Sequence, residues 1–382
     1  MRLPRAVLTG LIATATALAL SVSSSAASDR GHTRTREAME SLVRERGAPG
    51  ALAYAEDGGG AWSGTSGTGD LRTLQPRMPR ERFRVGSLTK PFVATVLLQL
   101  ASEGALRLDD PVGRWLPGLP LGRYGASVGD PSRAVTVRQL LGHTSGIPDY
   151  TSNPAVRYDY FSARFLAERW ATHSPRELVR ASLARPPLFA PGKGWSYSNT
   201  NYVLAGMVIE RVTGHPYARE IERRVLRPLG LRDTSLPGTS TAVPGPHGRA
   251  YSTLFTGRRE ARVRDVTALN PSLAGASGEM ISSTRDLARF TRALLTGGLL
   301  PPRQLREMKT TVAAPGDERY GLGLTARTLS CGVTVWGHEG TIHGSRSSAF
   351  ATEDGTRTAA FNLNGDWSGG TGGLVEAEFC RG

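Results

Sequence analysis

Lysine is the scarcest charged side chain in this sequence: of 47 lysine and arginine residues, only Lys90, Lys193 and Lys309 are lysine. Arginine does not give up its proton, whereas lysine does once its surroundings favour the amine, so each lysine asks for a reason. Cysteine is scarcer still, with only Cys331 and Cys380. In an oxidising compartment such a distant pair most often forms one disulfide, here tying a late segment to the C-terminus; two buried free thiols or one reactive thiol are the alternatives. Beyond residue 27 no stretch is apolar enough to cross a bilayer, so no membrane association is expected. Dense basic clusters are missing too. The formal charge is +14, yet the arginines are scattered, Arg223-Arg224 and Arg258-Arg259 being the densest spots, and no nucleic-acid motif accompanies them. The excess charge implies solubility and attraction to anionic wall polymers, with no nucleic-acid partner.

What is present begins with Arg2 and Arg5, an apolar stretch from Ala6 to Leu20 and a small-residue segment from Ser21 to Ala27. This pattern reads as a cleaved secretory signal spanning residues 1–27, and it predicts a secreted, extracellular protein. The rest is long enough for one large domain or two joined ones. A monomer is expected.

The periodicities predict strands at both ends and helices between. Thr33 to Gly47 has helical spacing, and Ala51 to Ala55, a Gly58-Gly59-Gly60 turn and Ala61 to Gly64 read as a hairpin. From about residue 109 to 278 the pattern is mostly helical. Ser174-Pro175-Arg176-Glu177 is a capping box and Asn201 to Gly214 another helix. Ser283 caps a helix reaching Leu295. Strands then return at Tyr320 to Leu329, Cys331 to Trp336, and Ser348 to Thr352 joined to Thr358 to Leu363 through Asp354-Gly355. A last helix runs from Gly373 to Phe379. The expected fold is α/β of the α+β kind: an antiparallel sheet flanked by N- and C-terminal helices (residues 28–108 and 279–382), with an all-helical domain (109–278) inserted.

In Arg84-Val85-Gly86-Ser87-Leu88-Thr89-Lys90-Pro91-Phe92, a helix starting at Ser87 places the serine hydroxyl beside the Lys90 amine, three residues on, at the helix's positive end. That is a nucleophile next to a base, anchored by the apolar run Val93 to Leu100. Two further stretches are candidates to face it. One is Ser196 to Asn201, where Asn199 could be a plain N-cap but Tyr197 has no such explanation. The other is Gly337-His338-Glu339-Gly340-Thr341-Ile342-His343-Gly344. Its histidines are five apart on a strand-like segment, whereas the zinc-protease pattern needs four on a helix, so no metal is expected.

Together these stretches resemble the penicillin-recognising serine hydrolases, the family of serine β-lactamases and D-alanyl-D-alanine carboxypeptidases. Ser87-Leu88-Thr89-Lys90, Tyr197-Ser198-Asn199 and His338-Glu339-Gly340 match its three motifs in order and spacing. Val135 to Pro148 and Pro191-Gly192 are also similar to family stretches. The likeness is strongest to secreted carboxypeptidases with histidine in the third motif, which carry a disulfide from just before that motif to the C-terminus. It implies a β-lactamase/transpeptidase-like fold, no cofactor, and an acyl-enzyme formed at Ser87, with Lys90 and Tyr197 sharing the proton work. Asn199, His338, Glu339, Gly340 and Thr341 would bind substrate, His338 keeping the site electropositive or relaying protons. The oxyanion hole would be the backbone N–H groups of Ser87 and Thr341.

The implied reaction is D-alanyl-D-alanine carboxypeptidase action on peptidoglycan peptides, with β-lactams as covalent inhibitors. Family members usually carry a hydroxyl residue where this chain has Glu339, which would repel a substrate carboxylate unless it points away or Arg327 compensates. An esterase, or a D-amino-acid amidase or aminopeptidase, therefore stands as the alternative. A class C-like β-lactamase and a penicillin-binding recognition module rank below these.

Overall fold

The computed structural model describes residues 31–121, 134–255, 262–316 and 318–380. The expected export signal and Arg258-Arg259 lie outside the described residues.

A nine-stranded antiparallel sheet forms the frame. Its strands are β1 (Gly50–Asp57), β2 (Gly60–Asp70), β3 (Gln75–Pro76), β4 (Val312–Ala313), β5 (Glu318–Tyr320), β6 (Thr325–Thr328), β7 (Thr334–Ile342), β8 (Ser345–Thr352) and β9 (Thr358–Leu363). Their order across the sheet is β3-β2-β1-β9-β8-β7-β6-β5-β4, so the first and last segments of the chain meet at its centre. The single strand expected over Tyr320 to Leu329 is two strands: β5 and β6 pair with each other through Thr325 and Tyr320. The third-motif residues 338–340 extend β7 beyond its expected end at Trp336.

Side chains alternate between the two faces of a strand. On β1, Ala51, Ala53 and Ala55 join Phe350, Phe361 and the apolar sides of helices α1 (Thr33–Arg44) and α5 (Gly372–Phe379) in one core. Leu52 and Tyr54 face the opposite core, which holds α2 (Thr89–Ser102), α3 (Asn199–Thr213) and α4 (Thr284–Leu295). The terminal helices thus cover one face, and α2, α3 and α4 the other. The disulfide joins Cys331, before β7, to Cys380, after α5, with Cα atoms 5.7 Å apart.

The expected caps hold. Ser174 and Glu177 form the reciprocal capping box and Ser283 accepts from the Asp286 backbone. Most of the regular structure between residues 109 and 278 is helical, but Tyr251–Ser252 and Arg264–Asp265 form a short strand pair within it.

α2 is buried nearly all round, from Thr89 to Leu98 and at Leu100, which is why its sequence has no polar face. Ser87 sits just before it, in a 3-10 turn over Gly86–Leu88. A rigid helix therefore begins where the sheet edge and the helical segments meet.

Candidate active site

Ser87, Lys90, Asn199 and Tyr197 converge at the start of α2. The Lys90 side chain is fully buried. Its Nζ lies 3.0 Å from Ser87 Oγ, 2.7 Å from Asn199 Oδ1 and 2.8 Å from the Ser277 carbonyl oxygen. A neutral amine has two N–H donors and one lone pair. Asn199 Oδ1 and the Ser277 carbonyl can only accept, so they take the two donors and leave the lone pair facing the Ser87 hydroxyl. Burial lowers the Lys90 pKa from its ordinary 10.5 to about 7, with Asp149 pulling it back upward.

The Tyr197 ring lies under the same amine, 4.8 Å from Nζ to its centroid. Its phenol is pushed upward by burial, an effect that its interaction with Ser87 partly offsets, so it stays protonated. The N-cap reading of Asn199 fails: Ser198 occupies the cap position, Asn199 is the first helical residue, and its side chain turns inward to Lys90.

His338 is buried, and its bonds bear on the two roles expected of it, an electropositive wall or a proton relay. Its Nδ1 meets the Glu339 carbonyl oxygen, which can only accept, so the ring proton sits on Nδ1 and Nε2 accepts from the Tyr320 hydroxyl at 3.0 Å. Burial and the neighbouring Lys90 lower its pKa to about 3. His338 is therefore neutral and does not make the site electropositive.

Gly340 and Gly86 bring the β7 edge against the serine. A Cβ on Gly340 would lie 1.9 Å from the Val85 carbonyl oxygen and 3.1 Å from Ser87 N. Gly86 has φ +55°, and a Cβ there would lie 2.6 Å from the Thr341 carbonyl oxygen and 2.9 Å from its nitrogen. Only glycine tolerates both demands at Gly86. The backbones of Ser87 and Thr341 are thereby held side by side. Among the described residues, no strand of the sheet pairs with the β6 side of β7 beyond Gly337.

Gly340 and His338 face Ser87, so by alternation Glu339 points to the other side of the sheet. There Glu339 Oε1 lies 3.5 Å from Arg327 Nη1, which also neighbours Glu318. The Arg327 guanidinium rests over the Phe350 ring, part of the core beneath the terminal helices. Neither Glu339 nor Arg327 is among the residues lining the cavity beside Ser87.

That cavity measures about 270 Å³. Ser87, Asn199 and Thr341 border it, and its walls are largely apolar, with Tyr160, Phe161, Phe165, Phe255, Leu269 and Leu273. No arginine, lysine, aspartate or glutamate is among the described residues lining it. His343 lies in this wall rather than with His338: it stacks on Phe165 with ring centroids 3.7 Å apart, and its Nε2 bonds the Tyr160 carbonyl.

Three participants went unrecognised in the sequence. His143, with φ +58°, packs its ring 4.3 Å from that of Tyr197 and accepts at Nδ1 from Ser198 N. Tyr320 holds His338. Asp149 accepts from Asn199 Nδ2 at 2.8 Å. His143 falls within the family-like stretch Val135 to Pro148, and Asp149 follows it directly, which was the available signal.

Residues 35–371 match the family model described as Beta-lactamase. The chain belongs to the beta-lactamase family. It is a serine hydrolase of that family and shares its fold. Its structure is similar to that of a D-stereospecific amidohydrolase from Streptomyces sp., with a TM-score of 0.84 and 51% identity, covering 91% of this chain and 98% of that one. Esterase EstB of Burkholderia gladioli is 36% identical over 75% of this chain and 76% of the esterase. Penicillin-binding protein 4* of Bacillus subtilis is 30% identical over 69% of this chain, a match that spans 56% of that protein's length.

Proposed function

We propose that the protein is a serine amidohydrolase that acylates Ser87 with D-aminoacyl groups carrying a large apolar side chain, releasing an amine or alcohol. The observation that carries this reading is the cavity beside Ser87: its described walls are largely aromatic and aliphatic, and no lysine or arginine is among them to meet a terminal carboxylate. The resemblance to a D-stereospecific amidohydrolase supports the choice of hand. A carboxypeptidase would need a cation for the substrate's free carboxylate, and Arg327, the candidate for it, is paired with Glu339 and Glu318 on the far face of the sheet.

In this mechanism the neutral Lys90 amine removes the Ser87 proton as Oγ attacks the carbonyl carbon. The negative charge that develops on the carbonyl oxygen meets the backbone N–H groups of Ser87 and Thr341, fixed beforehand by Gly86 and Gly340. Tyr197, protonated and beside both Ser87 and Lys90, hands a proton to the departing amine and regains one from Lys90. Water then attacks the ester with the same groups working in reverse, releasing the D-amino acid and restoring Ser87. The disulfide supports export to an oxidising compartment.

The test is release of p-nitroaniline from D- and L-phenylalanine p-nitroanilide, beside D-alanine release from a blocked peptide ending in D-Ala-D-Ala, with Ser87→Ala as control. Ser87-dependent cleavage of the D-anilide is the expected result. Turnover of the blocked peptide alone would return the assignment to carboxypeptidase.

A further inference from the structure

We propose that Asp149 is a positioning residue of this site, holding the Asn199 amide in the one orientation that turns its oxygen toward Lys90. The inference rests on the reading of Ser87 and Lys90 as nucleophile and base. An asparagine amide is nearly symmetric in shape, and rotating it by half a turn exchanges oxygen and nitrogen. With its nitrogen toward Lys90, the amide would offer a donor in place of an acceptor, and one of the two acceptors that direct the amine's lone pair would be lost. Lys90 alone cannot prevent this, because a neutral amine can also accept. A carboxylate can only accept, so it admits Asn199 by its nitrogen alone. Asp149 Oδ2 receives Asn199 Nδ2 at 2.8 Å, while Asn199 Oδ1 receives Lys90 Nζ at 2.7 Å.

Asp149 is itself fixed. Its Oδ1 accepts from Thr151 N at 2.9 Å as the cap of the 3-10 turn Tyr150–Ser152. One carboxylate oxygen therefore serves the turn and the other serves the site, and the two duties can be separated by mutation. The titratable groups around Lys90 are Asp149, Tyr197, Tyr202, His143 and His338. Burial holds both histidines neutral and both tyrosines protonated. Asp149 is the neighbour whose charge raises the Lys90 pKa.

Asp149→Ser separates the duties, because serine caps a turn as well as aspartate does but is too short and uncharged to hold Asn199. Asp149→Asn is the second variant, keeping both size and cap. With D-phenylalanine p-nitroanilide, kcat is expected to fall about 10- to 100-fold, the scale of a misplaced catalytic group, with KM little changed. The acid limb of the pH profile should move about half a unit or more toward lower pH, because a negative neighbour of Lys90 is gone. Asp149→Ser combined with Asn199→Ala should be no slower than Asn199→Ala alone. Wild-type kinetics in both Asp149 variants, or losses that multiply with Asn199→Ala, would overturn the proposal. Labelling of Ser87 by an uncharged fluorophosphonate keeps the two readings apart. An unlabelled wild-type protein would mean that the nucleophile reading has failed, whereas a labelled wild type with equally fast Asp149 variants would mean that only the positioning role has.

Discussion

The sharpest consequence of the proposed mechanism is that its base, Lys90, titrates near neutrality. Burial lowers the Lys90 pKa from 10.5 to about 7, so the unfolded chain keeps this proton at pH values where the folded chain has lost it. A pKa difference of one between the two states corresponds to about 1.4 kcal/mol, so burying the ammonium rather than the amine costs on the order of 5 kcal/mol. Below about pH 7 both states carry the proton and that cost applies in full. Between about pH 7 and 10.5 the unfolded state binds more protons, and stability rises with pH. Lys90→Met removes the titration. The difference in urea-unfolding free energy between wild type and this variant should therefore move in the wild type's favour by about 1.4 kcal/mol per pH unit above pH 7. The same ionisation governs the serine. About a tenth of Lys90 is neutral one pH unit below its pKa and about nine-tenths one pH unit above, so inactivation by an uncharged fluorophosphonate should rise about tenfold between pH 6 and 8 and then level off. A reagent with no ionisable group excludes titration of the substrate. A rate still climbing tenfold per pH unit beyond pH 9, or flat from pH 5 upward, would refute Lys90 as the neutral base.

Tyr197→Phe keeps the ring against Lys90 and His143 but removes the proton carrier; kcat should fall about 100- to 10,000-fold with the unfolding midpoint little moved, read by anilide turnover and thermal melting. Gly340→Ala sets a methyl group against the Val85 carbonyl and the Ser87 amide, so Ser87 labelling should be lost or the protein destabilised by about 1–3 kcal/mol; a fully active variant would show that β7 gives way. Reducing the Cys331–Cys380 bond, which closes a loop over 49 positions, should cost about 4 kcal/mol in denaturant titrations, while anilide turnover at low temperature persists because the bond lies toward the terminal helices. Glu339→Thr should change kcat/KM for the D-anilide less than about threefold, since the removed charge is half-exposed on the far face and contributes little through screened solvent.

The sequence showed the parts of the site that are local. Ser87 and Lys90 are one turn apart, the capping residues at Ser174 and Ser283 sit beside the helices they start, and Asp354-Gly355 joins adjacent strands. What escaped it depends on partners distant along the chain. The face of Glu339 follows only once Gly340 is seen against Val85 and Ser87. The cavity wall draws Tyr160, Leu269 and His343 from separate segments, and no periodicity links them. Local sequence left Asn199 open as a plain cap, because its partners Lys90 and Asp149 are 109 and 50 positions away; only the family resemblance placed it in the site.

His338 and the scarcity of lysine bear on the same point. A protonated His338 would place a second positive charge near Lys90, lowering its pKa further and weakening it as a base. The Tyr320 hydroxyl prevents this by donating to Nε2, a bond available only to the neutral ring with its proton on Nδ1. Arginine at position 90 would fail for the opposite reason: it has no lone pair to offer at neutral pH, and its planar fork cannot give two donors to Asn199 and Ser277 while accepting from Ser87. A lysine whose positive charge is penalised by burial, whose two donors are already taken and whose neighbouring histidines stay neutral is suited to the task the proposed mechanism gives it, which is to accept the Ser87 proton.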